Sequence, residues 1–366
     1  MFILKNNKVR SVLLTTIIAV AVFACSKSGG DDNGEGSTDG ADVFKKGMLT
    51  NYADDIIIPG YTDLQSKLNL LETSANAFIA APSTGTQETV KTSLKTAWLA
   101  YENVSVAYFG PASALLLNNF LNTFPTNTVK IESGIQTGNY NFTLATASDS
   151  IQGFAALDYL FSSADGVQKF SAPDAANRKK YAQDVVTRMK SLVAEVIKQW
   201  QSGYRGDFVN SLKTNVGSSI GYLVNQFAFE MDALKGPRIG WPFGKQSNGI
   251  VFADKCEGYY TGISVTLAVA NLTSLKNYYT GAAGDGIADY LVLLKKESLN
   301  DAVLAQFDVA LNSLKAIPEP MSAAFTNNAA LVEAAYKEVQ KLLTLLKTDV
   351  ASATAVQITY MDNDGD

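Results

Sequence analysis

A chain of 366 residues is long enough for two domains, or one large one, with well-formed cores, and 47% apolar content favours globular folding over disorder. A net charge of −5 with a pI near 5.0 provides no clustered Lys and Arg to hold phosphates, which excludes a nucleic-acid partner. The chain has no histidine, so the commonest general base, the commonest transition-metal ligand and the usual partner of a Ser or Cys nucleophile are all missing. Only Cys25 and Cys256 are present, which leaves no basis for a cysteine zinc site or a disulfide framework.

The first 24 residues read as an address rather than as fold. Lys5, Lys8 and Arg10 form a basic start, and an apolar run "SVLLTTIIAVAVFA" leads into Cys25, the pattern of a secretory signal. "VFAC" (Val22 to Cys25) resembles the lipobox of bacterial lipoproteins, in which cleavage leaves the cysteine first and acylated. That implies membrane anchoring through Cys25, and it leaves Cys256 without an intrachain partner. Residues 25–40 then form an acidic Gly/Ser-rich stretch with no apolar residue from Ser26 to Gly40 to bury, expected to be a flexible tether. Asp31, Asp32 and Glu35 within it resemble a surface-lipoprotein tether of Bacteroidetes-type bacteria.

From residue 41 the dominant signal is helical periodicity. Val90, Leu94, Ala97, Trp98, Tyr101, Val104 and Tyr108 recur at three- and four-residue steps and make one apolar stripe. Tyr181, Val185, Met189, Leu192, Val193, Val196 and Trp200 repeat the pattern behind a start signal at Ser171, Pro173 and Asp174. Leu331, Ala335, Val339, Leu342, Leu343 and Leu346 repeat it again. Strand-like alternation is scarce, and the Gly/Pro/Asn-rich stretches 110–150 and 235–262 are expected to be irregular and, at that length, functional. The expected architecture is therefore all-α. A break at "SGYRGD" (Ser202 to Asp207) divides it into an N-terminal helical bundle, 41–205, and a C-terminal one, 206–366. The segments 93–111 and 219–237 both stop at Gly-Pro, which leaves an internal duplication open.

The lipobox, "AWLAYENVSVAYFGP" (97–111), "GFAALDYLF" (153–161), "RIGWPFG" (238–244), "EGYYTGIS" (257–264) and the ending from Leu345 together resemble the imelysin-like proteins, in their Bacteroidetes lipoprotein branch. The resemblance spans nearly the whole mature chain. It implies two helical bundles side by side, a functional site in the groove between them, and a link to bacterial iron uptake. It also carries a metallopeptidase label built on a Gly-x-His-x-x-Glu signature, which here falls on Gly153, Ala155 and Asp158. Alanine offers no lone pair and aspartate is one methylene shorter than glutamate, so a metal held by that His–Glu pair is not held the same way in this chain.

Single residues now carry weight. Asp158 lies among Phe154, Leu157, Leu160 and Phe161, and a carboxylate in such a run needs a partner, because its desolvation costs several kcal/mol. Two readings stand: a ligand contact in the groove, or a structural ion pair or loop cap, with Arg238 as its first expected partner. Glu102 is expected at the edge of the stripe, where with Asp158 it would complete an oxygen-rich site for iron or another divalent cation. Trp98, Tyr101 and Tyr108 read as core more than as a platform. In "RIGWPFG", Trp241 and Phe243 are expected to anchor the loop while Arg238 points inward toward carboxylate or phosphate groups. Glu257, Tyr260 and Ser264 follow close behind. Asp158, Glu102, Arg238, Tyr101, Glu257 and Tyr260 are thus the candidate ligand contacts, and no catalytic residue is assigned. "MDNDGD" (361–366) starts like a calcium loop but lacks its closing glutamate, and "GKQ" (244–246) lacks the glycine spacing and the Ser/Thr of a phosphate loop.

The expected function is a non-catalytic lipoprotein of the outer membrane, on its periplasmic face or at the cell surface. It would bind a small ligand or metal and serve an outer-membrane uptake component. The rival readings are a metal-dependent hydrolase of the family's label and a purely structural lipoprotein that docks a membrane partner.

Overall fold

The computed structural model describes residues 38–143 and 149–360. The signal segment, Cys25, most of the tether and the acidic tail 361–366 lie outside the described residues.

Helix α1 (Thr38–Asn51) begins inside the stretch read as a spacer. It runs through a π turn, Tyr52–Ile57, into α2 (Ile58–Ala80). Ser83 caps α3 (Thr84–Glu102), its hydroxyl accepting from Thr86 N while the Thr86 hydroxyl accepts from Ser83 N. The stretch 110–150 is more helical than its composition suggests, holding α4 (Pro111–Ala114), α5 (Leu117–Asn122) and α6 (Thr128–Thr137). Pro111 at a first helical position and the Asn127 side chain accepting from Lys130 N supply the starts. Then come α7 (Gly153–Ser162), α8 (Gly166–Ser171) and α9 (Ala176–Gln199), the last starting beyond Ser171, Pro173 and Asp174. Helical geometry is interrupted at Gly203 (φ 165°, ψ −42°), inside the expected break, before α10 (Arg205–Asn210).

The second half is built from α11 (Ser219–Ala233), a π turn Leu234–Gly240, α12 (Ser264–Thr280), α13 (Ile287–Leu293), α14 (Glu297–Lys315), α15 (Met321–Asn327), α16 (Ala329–Thr344) and the short α17 (Ala351–Ala353). No strand occurs among the described residues. The fold is all-α, as the periodicity implies.

Packing follows the apolar stripes. Leu64, Leu68, Leu71 and Phe78 of α2 are fully buried against α3 and α9, and α7 lies on α3. Each such side chain contributes about 1.5–3 kcal/mol of transfer free energy. The α9 stripe from Tyr181 to Trp200 is buried throughout. In the second half α11 packs on α16, and α14 on both α12 and α16. On α16 the buried stripe starts at Val332, while Leu331 is 38% exposed.

The halves meet where α3 contacts α12 and where the turn Ser105–Ala107 contacts α11 and α12. The end of α1 and the start of the π turn after it also belong to this junction. Asn51 Nδ2 donates to the carbonyls of Gly281 and Asp285, and the Tyr52 hydroxyl donates to Tyr278 O and accepts from Ile287 N. The buried apolar residues of both halves form one continuous cluster.

Candidate functional site

Two polar assemblies interrupt this apolar seam. The larger is a closed charge cluster drawn from five segments. Glu102 ends α3, Glu230 sits on α11, Arg238 on the π turn, Glu257 on the following loop and Asn271 on α12; all are nine-tenths buried or more. Arg238 forks onto Glu102, Nη1 to Oε1 at 3.1 Å and Nη2 to Oε2 at 3.0 Å, and its Nη1 also reaches Glu257 Oε2 at 2.5 Å. Trp98 Nε1 donates to Asn122 Oδ1 (3.0 Å), and Asn122 Nδ2 to Glu257 Oε1 (2.6 Å). Asn271 Nδ2 lies 3.0 Å from both Glu102 Oε2 and Glu230 Oε2.

Two carboxylates thus share one guanidinium in a closed interior, and a third, Glu230, stands beside them on Asn271 and Ser105. Burial pushes Glu102 well above the usual carboxylate range despite Arg238 beside it, and burial likewise raises Glu230. For Glu230 the folded-state value lies above the unfolded reference near 4.5, so its contribution to stability is full below that pH and is lost as pH rises through the folded value. Glu230→Gln removes the charge and keeps the acceptor. It is expected to leave the Tm unchanged near pH 4 and to raise it by a few degrees at pH 8, as read by thermal denaturation monitored by circular dichroism; an equal shift at both pH values would contradict it.

The smaller assembly surrounds Asp158. Its helix, α7, opens at Gly153 with φ +79°, where an added Cβ would lie 2.3 Å from Leu121 O. Only glycine fits that approach of α7 to the end of α5. Asp158 is 1% exposed, and each carboxylate oxygen accepts a backbone N–H from the loop of the other half: Tyr260 N at 2.9 Å and Thr261 N at 3.0 Å. Gly258 (φ +63°) and Gly262 (φ +70°) bracket the turn that presents these N–H groups. Desolvation outweighs the bonds and lifts the Asp158 carboxyl to about 6. Asp158 also lines a cavity of about 70 Å³ with Ala155, Thr126, Thr128, Cys256 and Tyr260.

The candidate residues therefore separate into two linked groups. Glu102, Arg238 and Glu257 join in the closed cluster, and Asp158 and Tyr260 meet at the cavity. Arg238 is the partner of Glu102 and Glu257, not of Asp158, whose compensation comes from backbone donors. Tyr101 is 2% exposed and packs on Phe154, so it belongs to the core. The loop 256–262 connects the groups, pinned by the Glu257 side chain at one end and by Asp158 at the other. Trp241 is 39% exposed and does not anchor its loop; Phe243 does, against Phe325 at 5.7 Å.

The donor set is a poor fit for a metal held at Asp158. Among the described residues no group of three Asp, Glu or Cys side chains is placed to hold a metal ion. Ala155 contributes no lone pair. Burial pushes the Cys256 thiol up to about 11, so at neutral pH it is an S–H group, donating to Ala253 O. No described helix is long and apolar enough to cross a membrane.

Comparison with known proteins bears on the fold and the family. Two solved structures share the fold. One is described as an iron-regulated protein A precursor from Parabacteroides distasonis (TM-score 0.72, 19% identity, covering 86% of this chain and 95% of that one). The other is an imelysin-like protein from Psychrobacter arcticum (TM-score 0.70, 18% identity, covering 87% and 98%). No curated protein sequence matches the chain. The family model for imelysin, peptidase M75, matches residues 57–347, from the π turn before α2 to a π turn after α16 (Leu345–Val350) and across both polar assemblies, and the chain therefore belongs to the imelysin family.

Proposed function

We propose that this protein is a non-catalytic binding protein of the cell envelope, tethered through lipidated Cys25, which captures a small ligand at the Asp158 cavity for an outer-membrane uptake system. The observation that carries the reading is a carboxylate 1% exposed yet lining a cavity between the two halves of the chain, held by N–H groups from a loop 102 and 103 residues away. Burying that charge works against folding, which fits a residue retained for what it binds. The absence of histidine from the chain and alanine at position 155 speak for binding rather than hydrolysis. The iron link rests on the resemblance and on the name of the Parabacteroides neighbour. A cavity near 70 Å³ holds a few water-sized groups, so haem is too large for it.

The test is calorimetric titration of the mature protein with ferrous, ferric and calcium salts and a panel of small organic cations, anions and neutral solutes. Saturable binding to one class is expected, lost in Asp158→Asn. Binding of every class unaltered by that change, or by none at all, would end the proposal. The tether has its own readout: Cys25→Ala should move the protein from the membrane fraction to the soluble one.

A further inference from the structure

The lining of the Asp158 cavity is chemically one-sided. Its acceptor-bearing side chains are those of Asp158, Asp254, Thr126 and Thr128. Lys255 also lines it, but its ammonium lies 3.0 Å from Asp254, which lines the same space. No described Lys or Arg pairs with Asp158, whose carboxylate meets two backbone N–H groups and the Thr261 and Ser162 hydroxyls beside them. On the outer side stand Tyr259, 37% exposed, and Tyr260, with ring centroids 5.2 Å apart in a T arrangement. Tyr159 backs this wall without lining the cavity, its ring centroid 5.3 Å from that of Tyr260. The same Tyr259 and Tyr260 form one wall of a second, open trough of about 720 Å³ that includes Ser162, Ser163, Glu319 and Ser322.

Three ligand classes can be weighed against this lining. A metal ion demands several lone pairs at once, which the donor set lacks. An anion would meet Asp158, Asp254 and Glu319 against the single Lys255. A cation that carries its own N–H donors asks only for acceptors and aromatic faces, and both are present. The volume admits a head group and not a whole ligand, and Tyr259 and Tyr260, which line both spaces, set the trough next to the cavity.

We propose, building on the reading that the Asp158 cavity is the binding site, that the ligand is an organic cation. Its ammonium or guanidinium head sits on Asp158, and its body lies across Tyr259 and Tyr260 into the trough. The head donates to the Asp158 carboxylate in place of the neutral Ser162 and Thr261 hydroxyls, while Tyr260 N and Thr261 N stay bound, and the ring faces supply the remaining attraction.

The probes are n-butylguanidinium, 1,4-diaminobutane, butyrate and calcium, titrated calorimetrically into the mature protein at pH 7.5 and at pH 5. The two cations are expected to bind saturably, butyrate and calcium not at all. Affinity should fall about tenfold at pH 5, because the Asp158 carboxyl, at about 6, is then mostly protonated. Asp158→Asn should weaken the cations at least tenfold. If that variant fails to fold, Ala155→Leu fills the cavity while leaving the carboxylate in place, and it too should abolish binding; Tyr259→Ala should weaken it several-fold. Asp158-dependent binding of calcium or butyrate without the cations would overturn the ligand class and leave the site standing. Cation binding indifferent to Asp158, Ala155 and pH, or no probe binding at all, would overturn the proposal. Should Asp158-independent behaviour extend to the whole panel of solutes, the binding site falls with it.

Discussion

Replacing Arg238 with methionine is expected to cost about 3–5 kcal/mol, because it leaves Glu102 and Glu257 buried without their cation. Against a typical total of about 5–15 kcal/mol, that is a large fraction of the stability of the fold. Arg238→Lys should fall between the two, since an ammonium keeps the charge but cannot reproduce the fork onto both Glu102 oxygens. The measurement is urea unfolding followed by circular dichroism. A second variant separates lost attraction from stranded charge: Arg238→Met combined with Glu102→Gln should be more stable than Arg238→Met alone, because the second change removes the carboxylate the first has orphaned. If Arg238→Met lies within about 1 kcal/mol of the parent, the cluster is not what joins the halves. A local consequence accompanies the global one. Glu257 fixes the start of the loop whose N–H groups hold Asp158, so any ligand of the Asp158 cavity should bind more weakly to Arg238→Met even in conditions where it is fully folded.

The arrangement explains how one loop serves both assemblies. Residues 256–262 run from a Glu257 carboxylate bound inside the charge cluster to two N–H groups on Asp158, with Ser264 donating to Glu257 O just beyond. The cluster sets the position of the loop, and the loop sets the outer wall of the cavity. The excess of carboxylates over guanidinium makes this support sensitive to proton uptake, since Glu102 and Glu230 both have raised pKa values in the fold.

The long helices were legible because their stripes repeat over four or more turns: every residue named from Tyr181 to Trp200 is buried. The failure on α16 shows the limit of that signal. Leu331 and Val332 are both apolar and both fit a step to Ala335, so periodicity alone does not choose between them. Glu102, Arg238 and Glu257 were each identifiable as charges in apolar or Gly/Pro-rich surroundings, but their pairing was not, because each partner is more than 100 residues from Glu102 and nothing local encodes it. Glu230 and Asn271 were missed although the same rule finds them: "FAFEMDAL" and "LAVANLTSL" each place a polar group in an apolar run, as "FAALDYLF" does. The two N–H donors to Asp158 have no side-chain signature at all. A backbone donor can be any residue, so the glycines at 258 and 262 that shape the turn were the sole trace.

Gly153→Ala carries the other large expected effect, and the geometry gives two separate reasons for it. The residue sits at φ +79°, which costs an L-residue about 1 kcal/mol or more. The new methyl would also stand 2.3 Å from Leu121 O and 2.7 Å from Phe120 O, backbone atoms that cannot rotate away. Either α7 or the end of α5 must move, at a combined cost of about 2–4 kcal/mol. Gly206→Ala is the matched control, since its Cβ meets nothing within 4 Å on helix α10 and should be neutral or slightly stabilising. Because α7 carries both Ala155 and Asp158, a shift there changes the cavity as well as the core. Ligand affinity is therefore expected to fall by more than the loss of folded protein accounts for, when binding is measured at a temperature where the variant remains native. A Gly153→Ala protein with the parent's Tm and the parent's affinity would show that α7 is not held at this contact, and the placement of Asp158 between the halves would need another cause.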